Sequence, residues 1–250
     1  MNKSSNKAKE SFLVVGSDTG VGKTIFSGLL AKYLSNKGLR LNLVKPFCSG
    51  GTHDMDFLMA ANGETAPEKI NYWYGNDPIS PAAWELATGN QIDFDNIVVK
   101  LIQEFNSCDS DMLLVEGVGG LLAPITRKYT VASLGQKLDS KLIIVVPNQI
   151  GVVNHALLTL EVALNRGLSV EFLILMAKAK PDESAVGNAE LIRIHMPDIP
   201  DFKGVFEFPW LGEDANDPAL IPSNIIKAQE ALEKISDAFI QHIRFGATNN

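Results

Sequence analysis

The chain has 250 residues, 46% of them hydrophobic and 20% charged, with a formal net charge of −7. That length and apolar content are enough to bury one sizeable core, and the acidic balance with scattered Lys and Arg argues against nucleic acid as a partner. No apolar run approaches the roughly 20 residues that cross a bilayer, and Cys48 and Cys108 lack metal-type spacing, so no membrane partner and a cytoplasmic location are expected.

The polar stretch MNKSSNKAKE, residues 1–10, lacks the apolar region of a secretory signal and is expected to be a flexible tail. A single folded domain is expected over 11–245. Strand-like apolar runs follow at SFLVVG (11–16), LNLVKP (41–46), MLLVEG (112–117), KLIIVVP (141–147), VEFLILMA (170–177) and GVFEFP (204–209). Several lack alternation, as strands covered on both faces do. Helical spacing lies between them: Phe26, Leu29, Leu30, Tyr33 and Leu34 share one face, as do Val153, Ala156, Leu157, Leu160 and Leu164. Gly38 and Gly167 are placed to stop those two helices. Residues 62–95 have little periodicity, and their Pro and aromatic content predicts an ordered covering loop.

Alternation of this kind predicts an α/β fold, a doubly wound, mainly parallel sheet with helices on both faces. Ligands in such sheets sit at the carboxyl ends of the strands. GSDTGVGKT (16–24), KPFCSGG (45–51), EGVGG (116–120) and PNQIGVVNHA (147–156) all follow strands and are expected to meet in one crevice.

GSDTGVGKT joins a strand to a helix with glycines that let backbone amides turn inward, as in the phosphate-binding loop of P-loop NTPases. Lys23 can reach terminal phosphates and the Thr24 hydroxyl can ligate Mg²⁺. Five residues separate Gly16 from Gly22, against four in the strict pattern. A magnesium nucleotide needs carboxylates, and Glu116 at a strand end is the first candidate; a solvated strand-end acid is the bland alternative. Asp54 and Asp56 precede a helical pattern that either could cap, and Asp56 is preferred as the metal-associated group. Lys45 ends an apolar strand beside the crevice, where a cation costs desolvation energy unless an anion meets it; a snorkelling lysine is the alternative. Ser49 can donate a hydrogen bond nearby. Asn154 opens a helix where a carboxylate can be received, or simply caps it.

GSDTGVGKT, KPFCSG, SPAA, VEGVGG, GVVNHALLT and FPWL, in this order and spacing, resemble the dethiobiotin synthetases. The resemblance covers about residues 11–215 and implies a Mg²⁺-requiring enzyme with ATP as co-substrate. In that family 7,8-diaminononanoate and CO2 form a carbamate, the carbamate takes the γ-phosphoryl group, and the second amine closes the cyclic urea. By matching position, Thr19, Lys23 and Lys45 would be catalytic, with Ser49 beside the carbamate and Thr24, Asp56 and Glu116 serving the metal. Asp18, Gly20, Val21, Gly22, Lys23 and Thr24 would hold the phosphates, and Lys178, Pro209, Trp210 and Leu211 would lie beside the base. The family is a homodimer, which assigns Asn154 a role in trans on the carboxylate of the partner's substrate. Two positions depart from the pattern: Lys178 stands where many members carry Asn, and Gly20 where some carry Glu.

The competing class is the partitioning or septum-site ATPase, a nucleotide-switched dimer of the same fold. Its loop carries a signature lysine where this chain has Asp18, and its basic membrane-anchoring helix has no counterpart in AQEALEKISDAFIQHIRFG. A synthetase acting on cobyrinate would carry a glutaminase domain for which 250 residues leave no room.

Overall fold

The computed structural model describes residues 9–245, with side chains through residue 240. Residues 1–8 of the expected tail lie outside the described residues. In chain order the elements are β1 (Glu10–Gly16), α1 (Lys23–Asn36), β2 (Leu41–Val44), β3 (Phe47–Ser49), α2 (His53–Asn62), β4 (Trp73–Gly75), α3 (Pro81–Thr88), α4 (Phe94–Ser107) and β5 (Met112–Gly120). They continue with α5 (Val131–Lys137), β6 (Lys141–Pro147), α6 (Val152–Asn165), β7 (Val170–Met176), α7 (Asn188–His195), β8 (Gly204–Phe208), α8 (Ile221–Lys227) and α9 (Gln229–Phe245).

Six strands form one parallel sheet in the order β2-β5-β1-β6-β7-β8. They are the six apolar runs of the sequence, and the cause is visible in their burial: all seven residues of β7 and the middle five of β6 are buried. Alternate residues then feed two separate cores. Leu13, Val15, Leu113 and Ile144 pack on one face with side chains of α4, α5, α6 and α7. Phe12, Val14, Leu114 and Ile143 pack on the other with α1, α2, α8 and α9. The fold is thus the doubly wound, mainly parallel P-loop NTPase-like sheet that the alternation predicts.

The chain leaves β1 towards one face through α1 and leaves the adjacent β5 towards the other through α5, so a switch point opens between their carboxyl ends. Residues 62–95 are more structured than a covering loop. They contain a short 3-10 turn at Pro67–Lys69, then β4, which pairs with β3 as a second two-stranded sheet, then α3. Ser80 caps α3 by accepting from the Ala83 amide at 3.2 Å, and Pro81 occupies its first turn. No helix among the described residues is long and apolar enough to cross a membrane.

Candidate active site

The loop after β1 turns back over the sheet because Gly16 has no side chain. A Cβ there would lie 2.4 Å from the Asp18 carbonyl oxygen and 2.9 Å from Lys23 Nζ. Gly22 ends the loop at φ +97°, a conformation that L-residues other than glycine seldom adopt, and α1 starts at the next residue. Lys23 folds back so that Nζ donates to the Asp18 carbonyl at 3.0 Å. Asp18 itself accepts from the Thr19 amide at 2.7 Å.

β5 delivers Glu116 next to this loop. Its side chain is 1% exposed, and Oε1 accepts from Thr24 Oγ1 at 2.7 Å and from Lys45 Nζ at 2.6 Å. Lys45 follows β2, and its backbone is held by the excursion: its amide donates to the Ile70 carbonyl and its carbonyl accepts from Asn71 Nδ2. Its ammonium also donates to Asp54 Oδ2 at 2.7 Å, so it bridges two carboxylates in a site where it is 5% exposed.

The charges differ in their balance. Burial pulls the Lys45 pKa down, but Glu116 and Asp54 outweigh it and hold the ammonium above its ordinary value. Burial likewise pushes the Asp54 carboxyl up, and Lys45 more than offsets this. For Lys23 burial wins over Glu116 and Asp54, with the Lys45 charge adding to it, and its pKa falls to about 8. Lys23 is thus a buried cation short of negative charge, which a phosphate would supply.

These groups share one cavity of about 580 Å³, lined also by Thr19, Gly20, Gly22 and Ser49. Ser49 Oγ donates to the Ile79 carbonyl at 2.7 Å across the cavity mouth. The expected convergence of Lys23 and Lys45 with Glu116 is therefore present, and snorkelling does not describe Lys45.

Of the two aspartates, Asp54 reaches the cavity and the preferred Asp56 does not. Asp54 lies on the α2 face that buries Leu58 and Ala61, whereas Asp56 is exposed and accepts from Thr52 Oγ1 at 2.9 Å. That signal was in the sequence, since residues 54, 58 and 61 fall on one helical face and 56 points away. Other expected residues lie apart from the cavity lining, Asp18 and Val21 of the loop among them. Lys178 is exposed and donates to Gln149 Oε1 at 2.5 Å. Leu211 is buried in the core while Trp210 remains 46% exposed beside Pro209; just before them the Ala177 amide donates to the Phe208 carbonyl. Asn154 is exposed in the first turn of α6, away from its own chain's cavity. The sequence reading missed Glu213 and Asn216, which line the cavity from the segment after β8; no periodicity or motif distinguishes them from surface acids and amides.

The donors fit Mg²⁺. Glu116 Oε2 is buried with no hydrogen-bond partner, and the Thr24 hydroxyl and Asp54 carboxylate are hard oxygen ligands beside it. Mg²⁺ typically takes one or two carboxylates and fills its shell with water and phosphate oxygens, so no all-protein cage is required.

A family described as "AAA domain" matches residues 10–220. The chain is 32% identical over 163 residues to a protein of Methanococcus vannielii named ATP-dependent dethiobiotin synthetase, covering 65% of this chain and 76% of that one. It is 35% identical over 178 residues to one of the same name from Marinobacter nauticus, covering 65% and 73%. Among solved structures, the MinC:MinD cell division protein complex of Aquifex aeolicus superposes with a TM-score of 0.59 at 14% identity, over 93% of this chain and 96% of that one. That last likeness is one of fold alone.

Proposed function

Because this chain belongs to the ATP-dependent dethiobiotin synthetase family, we propose that it closes 7,8-diaminononanoate and CO2 into dethiobiotin at the expense of ATP, in biotin synthesis. One observation carries the reading: two buried ammonium groups, Lys23 and Lys45, line one cavity with a buried carboxylate between the second of them and the Thr24 hydroxyl. A polyanion assembled from a nucleotide phosphate and a substrate carbamate matches that arrangement.

The loop amides of Gly20, Val21 and Gly22 and the start of α1 hold the phosphates, and Lys23 neutralises the terminal one. Thr24, Asp54 and Glu116 would hold Mg²⁺, which when bound neutralises phosphate charge. One substrate amine takes up CO2 and loses a proton to give a carbamate. Lys45 and Thr19 stabilise its oxygen as it attacks the γ-phosphorus and ADP leaves. Because Lys45 is held firmly protonated, it acts as an electrostatic stabiliser and not as a base. Ser49 orients the carbamate. The second amine then attacks the carbamate carbon, the bond to phosphate breaks, and the ring closes with loss of a proton and release of phosphate.

The active form is a cytoplasmic homodimer, with Asn154 of one subunit receiving the carboxylate of the substrate in the other. The position of Asn154 supports this, since it is exposed between Ile150, 78% exposed, and Leu158, 53% exposed. The test is product formation from diamine, bicarbonate, Mg²⁺ and each nucleoside triphosphate in turn. Nucleotide hydrolysis indifferent to the diamine would overturn the reading in favour of a switch ATPase.

A further inference from the structure

The cavity has two unlike sides. The loop, α1, β5, Lys45 after β2 and Asp54 on α2 supply its charged side, while Pro78, Ile79, Pro81, Val118, Ala123 and Pro124 supply an apolar one. Two segments make most of the apolar side: residues 78–81, leading into α3, and residues 123–124, leading into the turn before α5. Neither belongs to the central sheet. Something has to hold them in register.

Glu85, on α3, is 4% exposed, and the hydrogen bonds of its carboxylate among the described residues come from backbone amides. Its Oε1 accepts from the Ile92 amide at 2.8 Å and its Oε2 from the Arg127 amide at 2.8 Å. The guanidinium of Arg127 donates instead to the Glu85 carbonyl oxygen at 3.0 Å. The Arg127 turn is fixed in its own right, with the Ile125 and Thr126 amides donating to the Tyr129 carbonyl and the Val131 amide to the Ala123 carbonyl. A buried carboxylate satisfied only by backbone amides costs desolvation energy that an apolar residue would avoid.

We propose that Glu85 is a positioning residue: it clasps α3 to the turn after β5 and thereby sets the width of the apolar side of the cavity, where the hydrocarbon chain of the diamine lies. This rests on the substrate reading above. The charged side is built on the loop, α1, β5, Lys45 after β2 and Asp54 on α2, none of which bonds to the Glu85 carboxylate, so the clasp governs the diamine and leaves the nucleotide untouched.

Glu85→Gln separates the clasp from gross folding. The amide oxygen still accepts one backbone N–H, but the side-chain NH2 now faces the other, so one arm opens. The expected result is a KM for the diamine raised about tenfold, with the KM for ATP within about twofold, since small displacements at a reacting site have large kinetic effects. Hydrogen exchange without diamine is expected to quicken at residues 79–83, 92 and 123–127 and to stay unchanged in residues 16–24. Equal changes in both KM values, or unchanged exchange in both segments, would overturn the proposal. Glu85→Ala, which leaves two amides unpaired, is read by exchange alone if it unfolds on heating too early for kinetics. A wild-type protein that makes no dethiobiotin would sink the substrate reading, while the exchange comparison would still decide the clasp.

Discussion

Lys45 and Lys23 face the same cavity with opposite electrostatic balances, and variants should separate them. Lys45→Ala removes the cation between Asp54 and Glu116; turnover is expected to fall by about three orders of magnitude while nucleotide affinity, measured by titration with Mg²⁺-ATP, changes by less than about fivefold. Asp54→Asn is expected to cut turnover at least about a hundredfold and to raise the Mg²⁺ concentration needed, and Asp56→Asn to leave both within about twofold; a magnesium titration of the two variants checks this. Lys23 gives a pH signature. Its pKa of about 8 in the folded protein lies below the ordinary 10.5, so its charge opposes folding at low pH. Between those two values the unfolded chain holds the extra proton, and unfolding free energy without nucleotide rises with pH. Urea unfolding between pH 8 and pH 10.5 should show that slope, and Lys23→Met should remove it.

Among the elements, the loop and α1 were legible because their chemistry is local. Glycines, Lys23 and Thr24 lie within nine residues, GSDTGVGKT, and the strand before them is buried on both faces. Gly22 is the joint between them. An alanine there would take the strained φ of +97° and bring its Cβ within 2.9 Å of Met176 Cε, at the end of β7. Gly22→Ala is expected to cost about 1–2 kcal/mol in unfolding free energy and to weaken nucleotide binding about tenfold or more, measured by urea melts and titration. β3 and β4 could not be read in the same way. Each is three residues long, shorter than any period the eye can count, and they pair only because the chain returns after 26 residues to lay Trp73 beside Phe47.

The whole molecule places the cavity of Lys23, Lys45 and Glu116 at the switch point between β1 and β5 and leaves Asn154 exposed on α6. A substrate shared between subunits predicts complementation. Lys45→Ala and Asn154→Asp homodimers should each be nearly inactive, and subunits exchanged at equal ratio should recover about a quarter of wild-type turnover, because half the dimers are mixed and each mixed dimer keeps one intact site. Sedimentation of the same samples reports whether dimers are present. Recovery of no activity from a mixture that does exchange subunits would remove Asn154 from its role in trans.

The order of strands along the chain, the phosphate-binding loop and the pairing of Lys45 with an anion were all determined by the sequence, because each depends on the burial or reach of residues adjacent in the chain. Only the tertiary structure decided that Lys178 turns to Gln149 and that Glu85 joins α3 to a turn 42 residues away. These choices depend on which segments return to the same end of the sheet. That return follows from the packing of two cores on opposite faces, and no local pattern of residues carries it.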